Sequence, residues 1–204
     1  MKINVFTVLL AVTPYFFCLA DEVPGGSEYA SEIESYRSSF FDPFLDKEYS
    51  PIRTDADLSR IRYYKPDSHY RVEGTFEIAT DENPVKMVTT TGGNAPFVRY
   101  AWIKFEQGGA NHKIAVYKRV YDGPDFFFIP FKDLTNGKST YGGGRYLGFK
   151  MEAVNDNRVW LDFNKAYNPW CHYDENLACP LAPDENSLTI AIHAGEKKYA
   201  KAAD

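Results

Sequence analysis

From Arg60 onward the chain runs in short segments punctuated by glycine, proline, asparagine and aspartate, and this punctuation restricts the fold more than any other feature. His69 to Ala79 alternates, with Tyr70, Val72, Gly74, Phe76 and Ile78 in one phase. Asp81-Glu82-Asn83-Pro84 turns the chain into Val85 to Thr91, and Gly92-Gly93-Asn94 turns it again before Phe97 to Glu106. Gly108 to Asn111 leads into His112 to Val120. Phe126-Phe127-Phe128-Ile129 is apolar in both phases, which predicts a central strand. Strands this short, with turn residues between them and no alternating helices, predict a mainly β domain, an antiparallel sandwich or barrel. The 15 Tyr and 15 Phe suit strands too.

The first part of the chain differs. Met1 to Ala20 has one cation, Lys2, then an apolar run from Val5 to Phe17, with Asp21-Glu22 immediately after. That order predicts an export signal over 1–20, a short linker over 21–26 and a single β-rich domain over 27–204. Cys18 and Ala20 stand at the small-residue positions of a cleavage site. A second reading makes Cys18 a lipid anchor, although Phe17 is bulkier than that modification prefers. Both readings deliver the domain outside the cytoplasm, to the periplasm, cell surface or medium, and into an oxidising compartment. Ser27 can cap a helix with Tyr29, Ile33, Tyr36 and Phe40 on one face, ended by Asp42-Pro43 and packed as a cap on the sheet. A net charge of -5 and a pI near 5.4 argue against a nucleic-acid partner. The only membrane contact the sequence suggests is the lipid at Cys18.

The unusual polar residues gather between Thr140 and Asn186. Gly142-Gly143-Gly144 lacks the spacing of a dinucleotide fingerprint and the Lys-Ser/Thr of a P-loop, which leaves a tight corner or an anion nest. Arg145 to Ala153 and Arg158 to Phe163 read as a hairpin around Val154 to Asn157. In one register it places Arg145, Trp160 and Asp162 on one face, and a slip of one residue removes Asp162 from it. Asn164, Tyr167 and Asn168 follow in a loop closed by Pro169. Cys171 and Cys179, the two cysteines left after signal removal, pair most simply as a disulfide. A catalytic thiol would need His172 or His193 as base, and a metal site at Cys171, His172 and Cys179 lacks a fourth ligand. No cofactor fingerprint is present. The final segment, Ser187 to Ala194, alternates weakly and is expected to complete the sheet.

Phe128 to Gly137, Thr140 to Tyr146, Asp162-Phe163-Asn164-Lys165-Ala166-Tyr167-Asn168-Pro169, Cys171, Cys179-Pro180, Glu185-Asn186 and Ala194-Gly195-Glu196-Lys197 together resemble the family catalogued as domain of unknown function 1684. Ser50-Pro51, Tyr63-Tyr64, Tyr70-Arg71-Val72 and Thr89 to Gly92 extend the resemblance over nearly the whole mature chain. It implies an exported, compact bacterial domain and supplies no substrate. His172 departs from the family pattern, which commonly has a small residue there.

The leading expectation is a module that binds a small polar or anionic ligand through Arg145, Asp162, Asn164, Tyr167 and Asn168, flanked by Tyr141 and Glu185. A hydrolase using Asp162 or Glu185 as a carboxylate base is the alternative, with Glu196 expected as an exposed charge. The third reading is a structural envelope protein whose polar residues form a buried network.

Overall fold

The computed structural model describes residues 26–45, 47–80, 84–120 and 126–200. The export signal, Cys18, the linker up to residue 25 and the turns at 81–83 and 122–124 lie outside these residues. Helix α1 (Gly26–Ser39) is followed by a one-turn helix α2 (Asp55–Leu58) and seven strands. These are β1 (Arg71–Ile78), β2 (Pro84–Val88), β3 (Asn94–Gln107), β4 (Ala110–Arg119), β5 (Phe126–Phe131), β6 (Arg145–Lys150) and β7 (Arg158–Asp162). Thr54 begins α2 with a reciprocal cap, its hydroxyl accepting from the Asp57 amide and the Asp57 carboxylate accepting from the Thr54 amide.

Every pairing between strands is antiparallel, in the order β6-β5-β4-β3-β1-β7, with β2 also on β3. The result is one sheet curled into a half-barrel, capped by the N-terminal helix. Strand β3 makes the curl possible. Its first part, Asn94 to Val98, pairs with β2, while Ala101 to Phe105 pairs with β1, and an irregularity between Arg99 and Ala101 separates the two. An extra residue in a strand bends it and increases its twist. One side of β3 therefore serves two partners pointing in different directions.

Strand β4 divides the apolar residues between two faces. Ile114 and Val116 enter the main core with Phe76, Ile103, Phe127, Ile129, Phe131, Leu147, Val159, Leu161 and Phe163. Ala115 and Tyr117 belong to a second cluster with Met87, Phe97, Phe128 and Tyr146. The coil from Trp170 to Ser187 lies over this second face, held where Tyr146 donates to the Pro180 carbonyl. The two covers explain why β5 is buried in both phases although it lies next to the edge strand β6 and not at the centre. On β1 the core phase stops early, and Ile78 is exposed.

The predicted hairpin does not form. Strands β6 and β7 occupy opposite ends of the strand order, and β7 pairs with β1 instead. The connection from Lys150 to Arg158 can span no more than about 30 Å, so the two ends of the sheet must come round towards each other. Ser187 to Ala194 adds no strand either. It runs beside the extension of β5 with one parallel bridge, Lys132 to Ser187, and with Leu134 donating to the Ile190 carbonyl.

Asn186 explains the approach of this coil. Strands β4 and β5 share the register pair Tyr117 and Phe128, which sets Ala115 opposite Pro130. Proline has no amide to donate. The Asn186 side chain fills the interrupted position, accepting from the Ala115 amide at 2.7 Å and donating to the Ala115 and Pro130 carbonyls at 2.9 and 2.8 Å.

Candidate ligand site

The two ends of the curled sheet meet at both extremities and part between them. Tyr146 on β6 exchanges main-chain hydrogen bonds with Tyr167, which closes one end. The connection from Met151 to Asn157 closes the other. Between them lies a cleft of about 370 Å³. One wall is Leu147, Gly148, Phe149 and Ala153, and the other is Trp160, Leu161 and Asp162, with Arg71 and Lys165 beside it. Its size suits a small ligand.

The charged side chains arrive from separate elements. The antiparallel register of β1 and β7 sets Arg71 opposite Asp162. Lys165 follows in the short 3-10 helix after β7. Glu32 on α1 engages both cations, with Lys165 at 2.8 Å and Arg71 at 3.5 Å. The hydrogen bond from Lys165 holds the Glu32 carboxyl below its ordinary range. The Arg71 guanidinium also lies over the Trp160 ring, 5.1 Å from its centroid.

Asp162 is 8% exposed and only half satisfied. Its Oδ1 accepts from the Tyr29 hydroxyl at 2.9 Å, the Asn164 amide at 3.0 Å and Asn164 Nδ2 at 3.1 Å. Burial, and then the neighbouring Asp162 carboxylate, push the Tyr29 hydroxyl well above its usual pKa, so Tyr29 stays a donor. The second oxygen, Oδ2, has no hydrogen-bond partner among the described residues. A buried polar atom left without a partner is expensive. Asn164 supports this carboxylate from behind. Its Oδ1 accepts from the Asp67 amide, and its Nδ2 also donates to Tyr29 and to the Asp67 carbonyl.

Arg145 belongs to a different network. It pairs with Asp133 at 2.9 Å, with both side chains fully buried, and donates to the carbonyls of Ala194, Ile192 and Glu196. The structure therefore does not bring Arg145 and Asp162 together. Next to Arg145 is Glu196, expected as an exposed charge and instead 0% exposed. Its carboxylate accepts from the amide and side chain of Asn168 and, with both oxygens at 2.8 Å, from the Tyr173 hydroxyl. Burial raises the Glu196 pKa to about 7, against the lowering effect of these donors and of Arg145. Gly195 makes the approach possible. At φ +75° it adopts a conformation that disfavours other residues, and a Cβ there would stand 2.6 Å from the Phe163 carbonyl.

The other expected residues are dispersed. Tyr167 closes the end of the cleft through its main chain, while its ring packs on Phe40 and Tyr146. Glu185 binds Arg99 at 2.8 Å and accepts from the Tyr117 hydroxyl. Tyr141 lies over His172, with ring centroids 4.2 Å apart, and contacts the Cys171 thiol at 3.9 Å. Among the described residues, Asp162, Glu185 and Glu196 are hydrogen-bonded to different partners. The Gly142 to Gly144 stretch makes a turn closed by the Gly144 amide on the Tyr141 carbonyl.

Cys171 and Cys179 are both buried thiols, and the Cys171 amide donates to Cys179 Sγ at 3.1 Å. Hydrogen bonds from Cys179, Tyr141 and Thr90 bring the Cys171 pKa down to about 6 despite burial. The Cys179 thiol is pushed up by its bond to Cys171 and by burial. Among the described residues no group of three His, Cys, Asp or Glu side chains is placed to hold a metal ion. Likewise, no described helix is long and apolar enough to cross a membrane.

Arg71, Lys165 and Glu32 were missed from sequence. The one signal available was the position of Lys165, three residues after Asp162. The profile of a family described as a protein of unknown function, DUF1684, matches residues 56–197. Among solved structures, the chain is similar to an uncharacterised protein of Haloarcula marismortui determined by solution NMR. The identity is 29% and the TM-score 0.64, covering 84% of this chain and 95% of that one. Among curated proteins, none matches the chain.

Proposed function

Because the chain belongs to the DUF1684 family of proteins of unknown function, whose description assigns no activity, we propose from geometry that it binds a small polar, negatively charged ligand between β6 and β7. The observation that carries this reading is the half-satisfied Asp162 in the wall of a cleft that also holds Arg71 and Lys165. A negative group suits the two cations, and a donor on the same molecule suits Asp162. Trp160, Leu147 and Phe149 offer apolar surface for the rest of it. Arg145, Asn168 and Glu196 do not line this cleft.

We further propose that the domain is exported and that Cys171 and Cys179 close into a disulfide in the oxidising compartment it reaches. The binding reading is tested by thermal-shift screening of the mature domain against small carboxylates and phosphates, because a ligand that binds the folded state raises its melting temperature. An upward shift that disappears in Arg71→Gln/Lys165→Gln is expected. Equal shifts in the wild type and the double variant would remove the cleft from consideration.

A further inference from the structure

The walls of the cleft are strand edges, and the direction of their main-chain groups follows from the bonds at either end. Tyr146 N donates to the Tyr167 carbonyl and Tyr167 N to the Tyr146 carbonyl, so the main chain of Tyr146 faces away from β5. The two-residue period of a strand turns Gly148 the same way, into the cleft. On the other wall, Phe76 N donates to the Asn157 carbonyl, while Arg158 exchanges bonds with Asn155 on the far side. Val159 and Leu161 therefore bond to β1, and the main-chain groups of Trp160 face the cleft. Gly148 and Trp160 line the cleft from its two walls, each with main-chain groups turned towards it. Such an edge is a template for another extended chain.

We infer, building on the cleft reading above, that the ligand is a short peptide with a free C-terminal carboxylate, added as the strand missing between β6 and β7. The peptide's main-chain amides and carbonyls meet Gly148 on one side and Trp160 on the other. Its carboxylate lies at Arg71 and Lys165, and an N–H near that end reaches Asp162. The ends of the cleft limit its length. Beyond the Tyr146 bridge the free edge of β6 is Leu147 to Phe149, about 10 Å at the rise of a strand, which takes two or three residues. Leu147 and Leu161 fill the inner side, so small side chains fit there. An odd number of antiparallel pairings separates β6 from β7, so the two walls run in opposite directions. The added strand runs antiparallel to one wall and parallel to the other, and both ladders are allowed.

The test uses isotope-labelled mature domain with four probes: tri-alanine, tri-alanine amide, tri-alanine N-methylated at the central nitrogen, and butyrate. Tri-alanine should shift the Gly148 and Trp160 amide resonances and slow their hydrogen exchange. The C-terminal amide should bind at least about tenfold more weakly, having lost its charge-assisted bonds. The N-methylated peptide should leave the exchange of both amides unprotected. Butyrate binding as tightly as tri-alanine, with exchange at Gly148 and Trp160 unchanged, would overturn the peptide inference and leave the cleft reading standing. If no probe disturbs the cleft residues, both readings fail.

Discussion

Two groups of polar residues lie on either side of Asn164 to Asn168, and they differ in where their unpartnered atoms lie. Around Arg145, the guanidinium has Asp133 and three carbonyls, and the neighbouring Glu196 has Asn168 and Tyr173, while Arg145 Nε and Asn168 Oδ1 have no hydrogen-bond partner among the described residues. Around Asp162, one carboxylate oxygen has three donors and the other has none among the described residues. Both groups combine an arginine, a carboxylate and an asparagine, so composition does not separate them. What separates them is where the unpartnered atoms lie: Asp162 lines the cleft, whereas Arg145 and Asn168 do not. A network enclosed by the packing fixes a fold, whereas one with capacity to spare at the wall of a cleft has something left to offer a ligand.

Breaking the Arg145 group should have the largest effect. Arg145→Met leaves Asp133 buried without its cation, and a loss of roughly 3–5 kcal/mol in denaturant unfolding is expected. A loss below about 1 kcal/mol would mean that the Arg145–Asp133 pair does not hold the fold together. Glu196 gives the next largest effect, through pH. Its folded pKa of about 7 lies above the ordinary 4.5. The folded state therefore holds the proton more tightly, and stability from this group is full below about pH 4.5 and lost as pH rises towards 7. The difference amounts to about 3 kcal/mol, and Glu196→Gln should remove that part of the pH dependence. Unfolding curves from pH 4.5 to 8 for both proteins would show it.

The proposed disulfide comes third, at about 2–3 kcal/mol for so short a loop. Non-reducing mass spectrometry should find the mature protein lighter by two hydrogens, and reductant should lower its melting temperature. Two free thiols in exported protein would refute the pairing. Arg71→Gln sharpens the comparison from the other side. This partly exposed ion pair should change stability by less than about 1 kcal/mol, while abolishing the thermal shift given by an anionic ligand. A large loss of stability would place Arg71 with Arg145 as a structural cation.

The sequence revealed elements better than their meeting places. The strands from His69 to Ile129 were legible because alternation and turn residues are local signals. The hairpin from Arg145 to Phe163 was misread because its alternation fits any partner. β7 joins β1 through a long-range contact that no local pattern reports. Arg71 could not be linked to Asp162 without that pairing. Glu196 looked exposed because glycine and lysine flank it, yet Gly195 is what lets the chain bring that carboxylate into the interior. Trp160 and Asp162 were correctly placed on one strand, but the arginine beside them is Arg71.

The carboxamide of Asn186, inserted between Ala115 and Pro130, ties the fate of the sheet to that of the coil. The Ala115 amide has its partner 71 residues further along the chain, so the middle of the half-barrel cannot keep its protection if the C-terminal segment lets go. The two should melt as one cooperative unit, and clipping or displacing the tail would be felt first as fast solvent exchange deep in β4.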